Sequence, residues 1–315
     1  VSGPIRVALV GLGKIAHDQH LPSIRKCADF ELVAAASPAG RAIGVPNFHG
    51  IESMLAAGIG IDAVVLCQPP QFRYHAAALA LRAGKHVLLE KPPGATTLEV
   101  DQLEAMAMEC GSTLYTAWHS RLAAGVAPAR AWLAHRRILG VRIEWLEDVQ
   151  RWHPGQTWIW EAGGFGVFDP GINALSILTH LMPESLRLSN GTLDVPRGGC
   201  APIRAELHLR SASEIPVHAV FDWRHTGPEV WSLRIDTDVG ELNLSAGGAV
   251  LQVRDQSVDV GASDEYEKIY RRFAELARAR ACEVDTVPLR LVGDAFMRCQ
   301  IRVVEPAPGS AQDRS

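Results

Sequence analysis

Six residues, Gly11-Leu12-Gly13-Lys14-Ile15-Ala16, follow directly on the apolar run Ile5-Arg6-Val7-Ala8-Leu9-Val10 and match the spacing GxGxxG/A where a strand would turn into a helix. Gly11 permits the tight turn, Gly13 leaves the backbone open to a pyrophosphate, and the small Ala16 lets the helix pack on the strand. The chemistry this predicts is dinucleotide binding, with Gly11, Gly13, Lys14 and Ile15 at the phosphates. An NAD site usually ends its second strand with a carboxylate for the adenosine 2'-hydroxyl, but here that strand ends Ala34-Ala35-Ala36-Ser37-Pro38. Ser37 can donate to a phosphate and Arg41 lies four residues on, so NADP or NAD is expected, with NADP slightly favoured. The plain alternative for Arg41 is an exposed surface charge. Two further apolar runs end Cys67-Gln68-Pro69-Pro70 and Leu89-Glu90-Lys91-Pro92, on the carboxyl edge where α/β folds bind ligands. Cys67, Gln68, Pro69, Glu90 and Lys91 are therefore expected along the cofactor. Cys67 has no obvious basic partner, so it is not read as a nucleophile.

Positioning these residues takes alternating strands and helices. Strands are predicted at 5–10, 31–36, 62–67, 86–89 and 113–117, and helices near 14–27, 51–57, 71–83 and 97–110, with Gly58, Gly84 and Gly111 at helix ends. That is the βαβ signature of a parallel sheet. After Trp118 the pattern changes to a helix near 126–138, an alternating strand at 141–150, a tryptophan-rich loop and a helix at about 171–181. Half-alternating runs at 215–224 and 230–236, at hairpin spacing, predict a mostly antiparallel open sheet, and helices near 263–280 and 288–304 close the chain. The fold class is thus α/β. An N-terminal Rossmann domain is expected over 1–120, a substrate-binding α/β domain with the open sheet over 121–305, and a small polar, frayed tail over 306–315.

Composition narrows the function further. In 315 residues, 47% are hydrophobic and 21% charged, as in ordinary globular chains, and the net charge of -4 argues against a nucleic-acid surface. Arg271, Arg272, Arg278 and Arg280 read as a solvated helix face. The six cysteines show no CxxC or Cys/His metal spacing, so neither a disulfide framework nor a zinc site is expected. His17 and His20 lie three apart without a third ligand, and no metal is expected. No apolar run approaches the length of a membrane span, and the expected location is cytoplasmic.

The GxGxxA turn, Glu90-Lys91-Pro92 and the later run Gly163-Gly164-Phe165-Gly166-Val167-Phe168-Asp169-Pro170-Gly171-Ile172-Asn173 together resemble the glucose/fructose oxidoreductase, inositol dehydrogenase and MocA family, over nearly the entire chain. Within it, the segments 14–22, Trp152-His153-Pro154-Gly155-Gln156 and 168–176 are similar to bacterial aldose 1-dehydrogenases acting on L-arabinose and D-galactose. The resemblance implies a Rossmann domain, a second domain with an open sheet, and a sugar held against the nicotinamide. It also implies Lys91, Asp169 and Asn173 as the catalytic set. The wider family carries histidine four residues after the aspartate, where this chain has Asn173. A neutral amide cannot take the proton, so the base lies elsewhere.

Oxidising an aldose at C1 requires loss of a hydride to nicotinamide and of the anomeric hydroxyl proton, hence one base and one group to hold the developing oxyanion. Asp169 is expected to accept the proton, directly or through a water, and Lys91 to donate to the C1 oxygen, with exchange of these roles left open. Asn173, one helical turn on, would orient a hydroxyl. Without that chemistry, Lys91 would be a surface lysine and Asp169 a helix N-cap. Sugars present apolar C–H faces, so Trp152 and Trp231 are platform candidates, while Trp132, Trp145 and Trp223 read as core. His119, Glu147 and His153 complete the expected sugar contacts. The expected product is the aldonolactone of L-arabinose, D-galactose or D-fucose. Alternatives are oxidation of an inositol, polyol or cyclic diol, against which Asn173 counts, and a noncatalytic sensor of NADP and sugar. A homodimer is expected from fold analogy alone.

Overall fold

The apolar run ahead of Gly11 becomes a strand buried on both faces, with Val7, Ala8 and Leu9 at 0% exposure and Val10 at 2%. Only the interior of a parallel sheet covered by helices offers such a place. The computed structural model describes residues 3–305, so the tail expected from 306 lies outside the described residues. The chain forms two compact units: residues through His119 together with Asp264–Thr286, and Ser120–Ser263 together with the residues from Val287.

The first unit holds β1 (Ile5–Val10), β2 (Phe30–Ala36), β3 (Asn47–Phe48), β4 (Ala63–Leu66), β5 (His86–Glu90) and β6 (Leu114–Ala117). All pair in parallel, in the order β3-β2-β1-β4-β5-β6. The order reverses direction beside β1, and there the ends of β1 and β4 open the crevice in which such sheets bind ligands. Gly58, Gly84 and Gly111 sit at φ +70°, +71° and +60°, as helix ends require. The two-residue β3 was not expected; it is too short to carry a period.

The division at residue 120 differs from the observed units in one segment. Helix Glu265–Ala279 packs its apolar stripe, Tyr266, Ile269, Tyr270, Phe273 and Ala274, within the first unit. Phe30 meets Tyr270 edge-on at 5.3 Å and stacks on Phe273 at 5.8 Å. After it, Glu283 bridges in parallel to Tyr115 of β6. The stripe needs an apolar surface, and the parallel sheet supplies one that a linear reading cannot see. Its arginines are solvated but paired: Arg271 with Asp264, Arg272 with Glu275 and Glu283, and Arg278 with Asp29.

The second unit is built on one mixed sheet of β7 (Ile138–Leu146), β8 (Leu186–Pro196), β9 (Arg204–Ser211), β10 (Pro216–Asp222), β11 (Val230–Thr237), β12 (Gly240–Ser245), β13 (Val250–Val253), β14 (Gln256–Val258) and β15 (Gln300–Val304). The order is β14-β13-β12-β11-β7-β10-β9-β8-β15, antiparallel except where β7 meets β10 and β8 meets β15. Several expected boundaries move, and the strand expected at 141–150 spans Ile138–Leu146, with Val149–Trp152 in a short helix. The helix expected to 138 ends at Leu133, and the last helix ends at Arg298 because Gln300–Val304 pairs with Thr192–Pro196. Ile-Arg-Val-Val at a sheet edge gains ladder hydrogen bonds that outweigh a weak helical preference. Val217, Ala219 and Phe221 of β10 face a covering helix, Phe168–Leu181, whose Phe168 ring meets Phe221 at 5.8 Å.

Candidate active site

In the first unit the turn after β1 leaves no room for a side chain. Gly11 has φ +88°, and a Cβ there would lie 2.7 Å from the Gln68 nitrogen and 3.0 Å from the Cys67 carbonyl carbon. By contrast a Cβ on Gly13 would meet nothing within 4 Å, which is the open approach a phosphate needs. Lys14 and Ile15 then begin a helical run whose residues Ala16–His20 form a π-turn before Leu21–Lys26. Lys14 is exposed and pairs with Asp18. The Gln68 Oε1 atom, after β4, is buried with no hydrogen-bond partner among the described residues. A buried acceptor of this kind is costly unless a ligand donor reaches it. The glycine cradle and this oxygen fit a dinucleotide. Burial and the Glu90 charge push the Cys67 thiol well up, so it stays protonated. Pro69 is half-buried beside it. Ser37 is half-buried and its Oγ accepts from Gly40 N at 3.2 Å, while Arg41 is exposed.

Glu90 ends β5 with its carboxylate turned into the unit. Its Oε1 lies 3.1 Å from His20 Nε2 and accepts from the Tyr266 hydroxyl at 2.7 Å, while Oε2 accepts from Lys91 N at 2.7 Å. His20 Nδ1 meets the Tyr270 hydroxyl at 2.8 Å. Burial alone would raise the Glu90 carboxyl, but the His20 bond and charge, with help from His119 and Tyr266, bring it down to about 2. The Arg73 guanidinium donates to the Glu90 and Pro92 carbonyls on the other side of Lys91. The half-buried Lys91 is thus held by its backbone from both neighbours. His119 stacks on Tyr266 at 5.3 Å and its Nδ1 lies 2.7 Å from Glu265 Oε2.

In the second unit Asp169 stands in the first turn of helix Phe168–Leu181, where the helix dipole favours an anion. It is 7% exposed, and Val167, not Asp169, holds the N-cap position. Pro170 in that turn lacks only an N–H that the helix cannot use. Asp169 Oδ2 lies 3.6 Å from His153 Nε2. The His153 ring packs on Trp223 at 5.1 Å, and its Nδ1 lies 3.3 Å from Gln156 Oε1. Asn173 is half-buried, one turn after Asp169 on the same helix face. Glu147, only 3% exposed, accepts from Trp223 Nε1 at 3.0 Å through one oxygen and from Trp231 Nε1 at 2.9 Å through the other. Trp231 lies between Trp145 at 5.9 Å and Trp152 at 5.4 Å. Trp152 Nε1 donates to Glu229 at 3.3 Å.

The Rossmann part of the chain, residues 5–117, matches the model of an oxidoreductase family with an NAD-binding Rossmann fold, Gfo/Idh/MocA. Galactose 1-dehydrogenase of Pseudomonas fluorescens is 42% identical over 299 residues, covering 93% of this chain and 95% of that protein. The chain belongs to the Gfo/Idh/MocA oxidoreductase family. The crystal structure of a D-galactose-1-dehydrogenase from Rhizobium etli superposes with a TM-score of 0.93 at 51% identity, covering 98% and 99% of the two chains. A 3-ketoreductase from Actinomadura kijaniata, solved with NADP, shares the fold at a TM-score of 0.86 with 20% identity.

For this Gfo/Idh/MocA chain, the residues expected from sequence thus fall into distinct groups. Asp169, His153, Asn173 and the tryptophan cluster collect in the second unit; Gly11, Gly13, Gln68 and Lys91 collect at the edge of the first sheet. Glu90 and Glu147 are both buried carboxylates with partners inside their own units. The Glu90 carboxylate is turned to His20, Tyr266 and Lys91 N, and each Glu147 oxygen accepts from an indole. Trp145 and Trp223 are core, but Trp132 is half-buried under the Arg136 guanidinium, 4.0 Å from its ring. Sequence reasoning missed the contributions of His20, Gln156, Trp223 and Glu229. His20 was visible only as one of two nearby histidines, because its partners lie 70 and 250 residues away. Among the described residues no helix is long and apolar enough to cross a membrane.

Proposed function

We propose that the chain is an NAD(P)-dependent aldose 1-dehydrogenase that oxidises C1 of a pyranose, D-galactose first and L-arabinose or D-fucose as related substrates. The observation that carries the reading is the Asp169 carboxylate, buried at a helix start, beside His153 and a wall of tryptophans. The names of the two galactose dehydrogenases to which the chain is similar support the substrate class.

Gly11, Gly13, Lys14, Ile15, Gln68 and Pro69 hold the dinucleotide, and the exposed Arg41 with Ser37 favours the 2'-phosphate of NADP. When bound, the nicotinamide supplies the acceptor for the C1 hydride. Asp169 takes the anomeric hydroxyl proton, which Asn173 cannot do. His153, against the same carboxylate, keeps Asp169 oriented. Lys91 donates to the C1 oxygen as negative charge develops there. Trp152 and Trp231 present flat faces to the sugar C–H bonds, and His119 adds a polar contact.

The test is reduced-nicotinamide formation by purified protein, with NAD and NADP measured separately against D-galactose, L-arabinose, D-fucose, D-glucose, D-xylose and myo-inositol. Turnover is expected with D-galactose and L-arabinose, at a higher kcat/KM with NADP. Turnover with myo-inositol alone, or cofactor binding without turnover of any aldose, would overturn the assignment. Asp169→Ala should lower kcat by about 10²–10⁴-fold with cofactor affinity unchanged; near-normal kcat removes Asp169 from the mechanism.

A further inference from the structure

Glu206 and His208 of β9 and His218 of β10 take no part in the chemistry above. The two strands are antiparallel, with His218 directly opposite His208. Glu206 is two residues from His208, so strand alternation turns all three side chains to one face. It is the face away from helix Phe168–Leu181: Leu207, Leu209, Val217, Ala219 and Phe221 carry the buried side of these strands.

On that open face the donors converge. His218 Nε2 lies 3.2 Å and His208 Nε2 3.8 Å from the same oxygen, Glu206 Oε1. The three ligand atoms all lie within 4.8 Å of one another. A tetrahedral ion with bonds of about 2.0–2.1 Å separates neighbouring ligand atoms by roughly 3.3 Å, so the donors are within reach of one ion once the two imidazoles turn out of their stack to aim at a common point. The other carboxylate oxygen, Oε2, accepts from Arg204 Nη2 at 2.8 Å, which fixes the carboxylate and leaves Oε1 for sharing. The two imidazoles lie face to face, 4.7 Å apart and 12° from parallel. Both strands are interior to the sheet, so ladder hydrogen bonds hold the donors in register.

We propose that Glu206, His208 and His218 form a binding site for one divalent transition-metal ion of the zinc or copper type. Two imidazoles and a carboxylate suit such borderline ions and not magnesium or calcium. The residues are 31–48% exposed, so at least one coordination position opens to solvent. No metal was expected from the sequence, because His208 and His218 have no local ligand spacing and meet only through strand register.

The test titrates Zn²⁺ into the full-length, tag-free chain by calorimetry and records the electron paramagnetic resonance spectrum of one equivalent of Cu²⁺. One site per chain with nitrogen hyperfine structure is expected. His208→Ala and His218→Ala should each weaken binding roughly tenfold or more, and the double variant should lose the site. Sugar turnover without added metal should be unchanged in all three, since they lie on the face away from Asp169. Circular dichroism and melting curves confirm that the variants fold, and His218→Gln repeats the test at similar side-chain size. Absence of stoichiometric binding by the unmodified chain, or undiminished binding by the folded double variant, overturns the proposal.

Discussion

Glu90 is 2% exposed and still ionised, because His20, Tyr266 and the Lys91 amide replace the water it has lost. Its folded pKa of about 2 lies below the ordinary value of 4.5. The stabilisation is therefore fully present above about pH 4.5 and is lost as pH falls from there through about 2. Glu90→Gln keeps the shape and removes the charge, and should cost on the order of 3 kcal/mol at neutral pH. Urea unfolding at pH 7 should show that loss, and the gap between the two proteins should narrow as pH drops below 4.5. A gap that stays constant with acidification would remove the charge from the explanation. The motif Glu90-Lys91-Pro92 was legible as a ligand-edge segment, yet the inward direction of Glu90 was not. Its partners come from residues 20 and 266, and only folding brings them together.

The helix Phe168–Leu181 shows how an element places a residue. Gly171 lies against the Phe221 ring, where a Cβ would come within 2.9, 3.0 and 3.3 Å of ring atoms. Gly171→Ala must displace the ring or the helix, and overpacking of this sort costs about 1–3 kcal/mol. Because Asp169 is two residues earlier in the same rigid element, kcat should fall with the melting temperature while cofactor affinity holds. Adding Phe221→Leu should recover part of both; normal kcat in the single variant would mean that the ring yields without moving the helix. Helices and strands of three turns or five residues were legible from hydrophobic period, as at β1, β2 and Thr97–Glu109. β3 and β15 were not, since a strand that short or that exposed is defined by the ladder it joins.

For the whole molecule, the first unit is assembled from two separated pieces of chain. Tyr266, Ile269, Tyr270 and Phe273 are each at most 6% exposed within it. Burying such side chains contributes roughly 1.5–3 kcal/mol each, which together rivals the net stability of a domain, about 5–15 kcal/mol. Residues 1–119 expressed alone should therefore bind the dye ANS, unfold without cooperativity and fail to bind NADP. Joining residues 264–286 by a flexible linker should restore a cooperative transition; a stable, NADP-binding 1–119 fragment would show the helix to be dispensable. What the sequence by itself determined is what depends on neighbouring residues: the GxGxxA turn, the alternation of strand and helix, the family motifs and the composition that excludes other classes. Only the tertiary structure decided which carboxylates face partners and which face the open edge, that Asp169 meets His153, and that Glu206, His208 and His218 converge. Register and packing join residues far apart in the chain, and those interactions leave no local period or spacing to read.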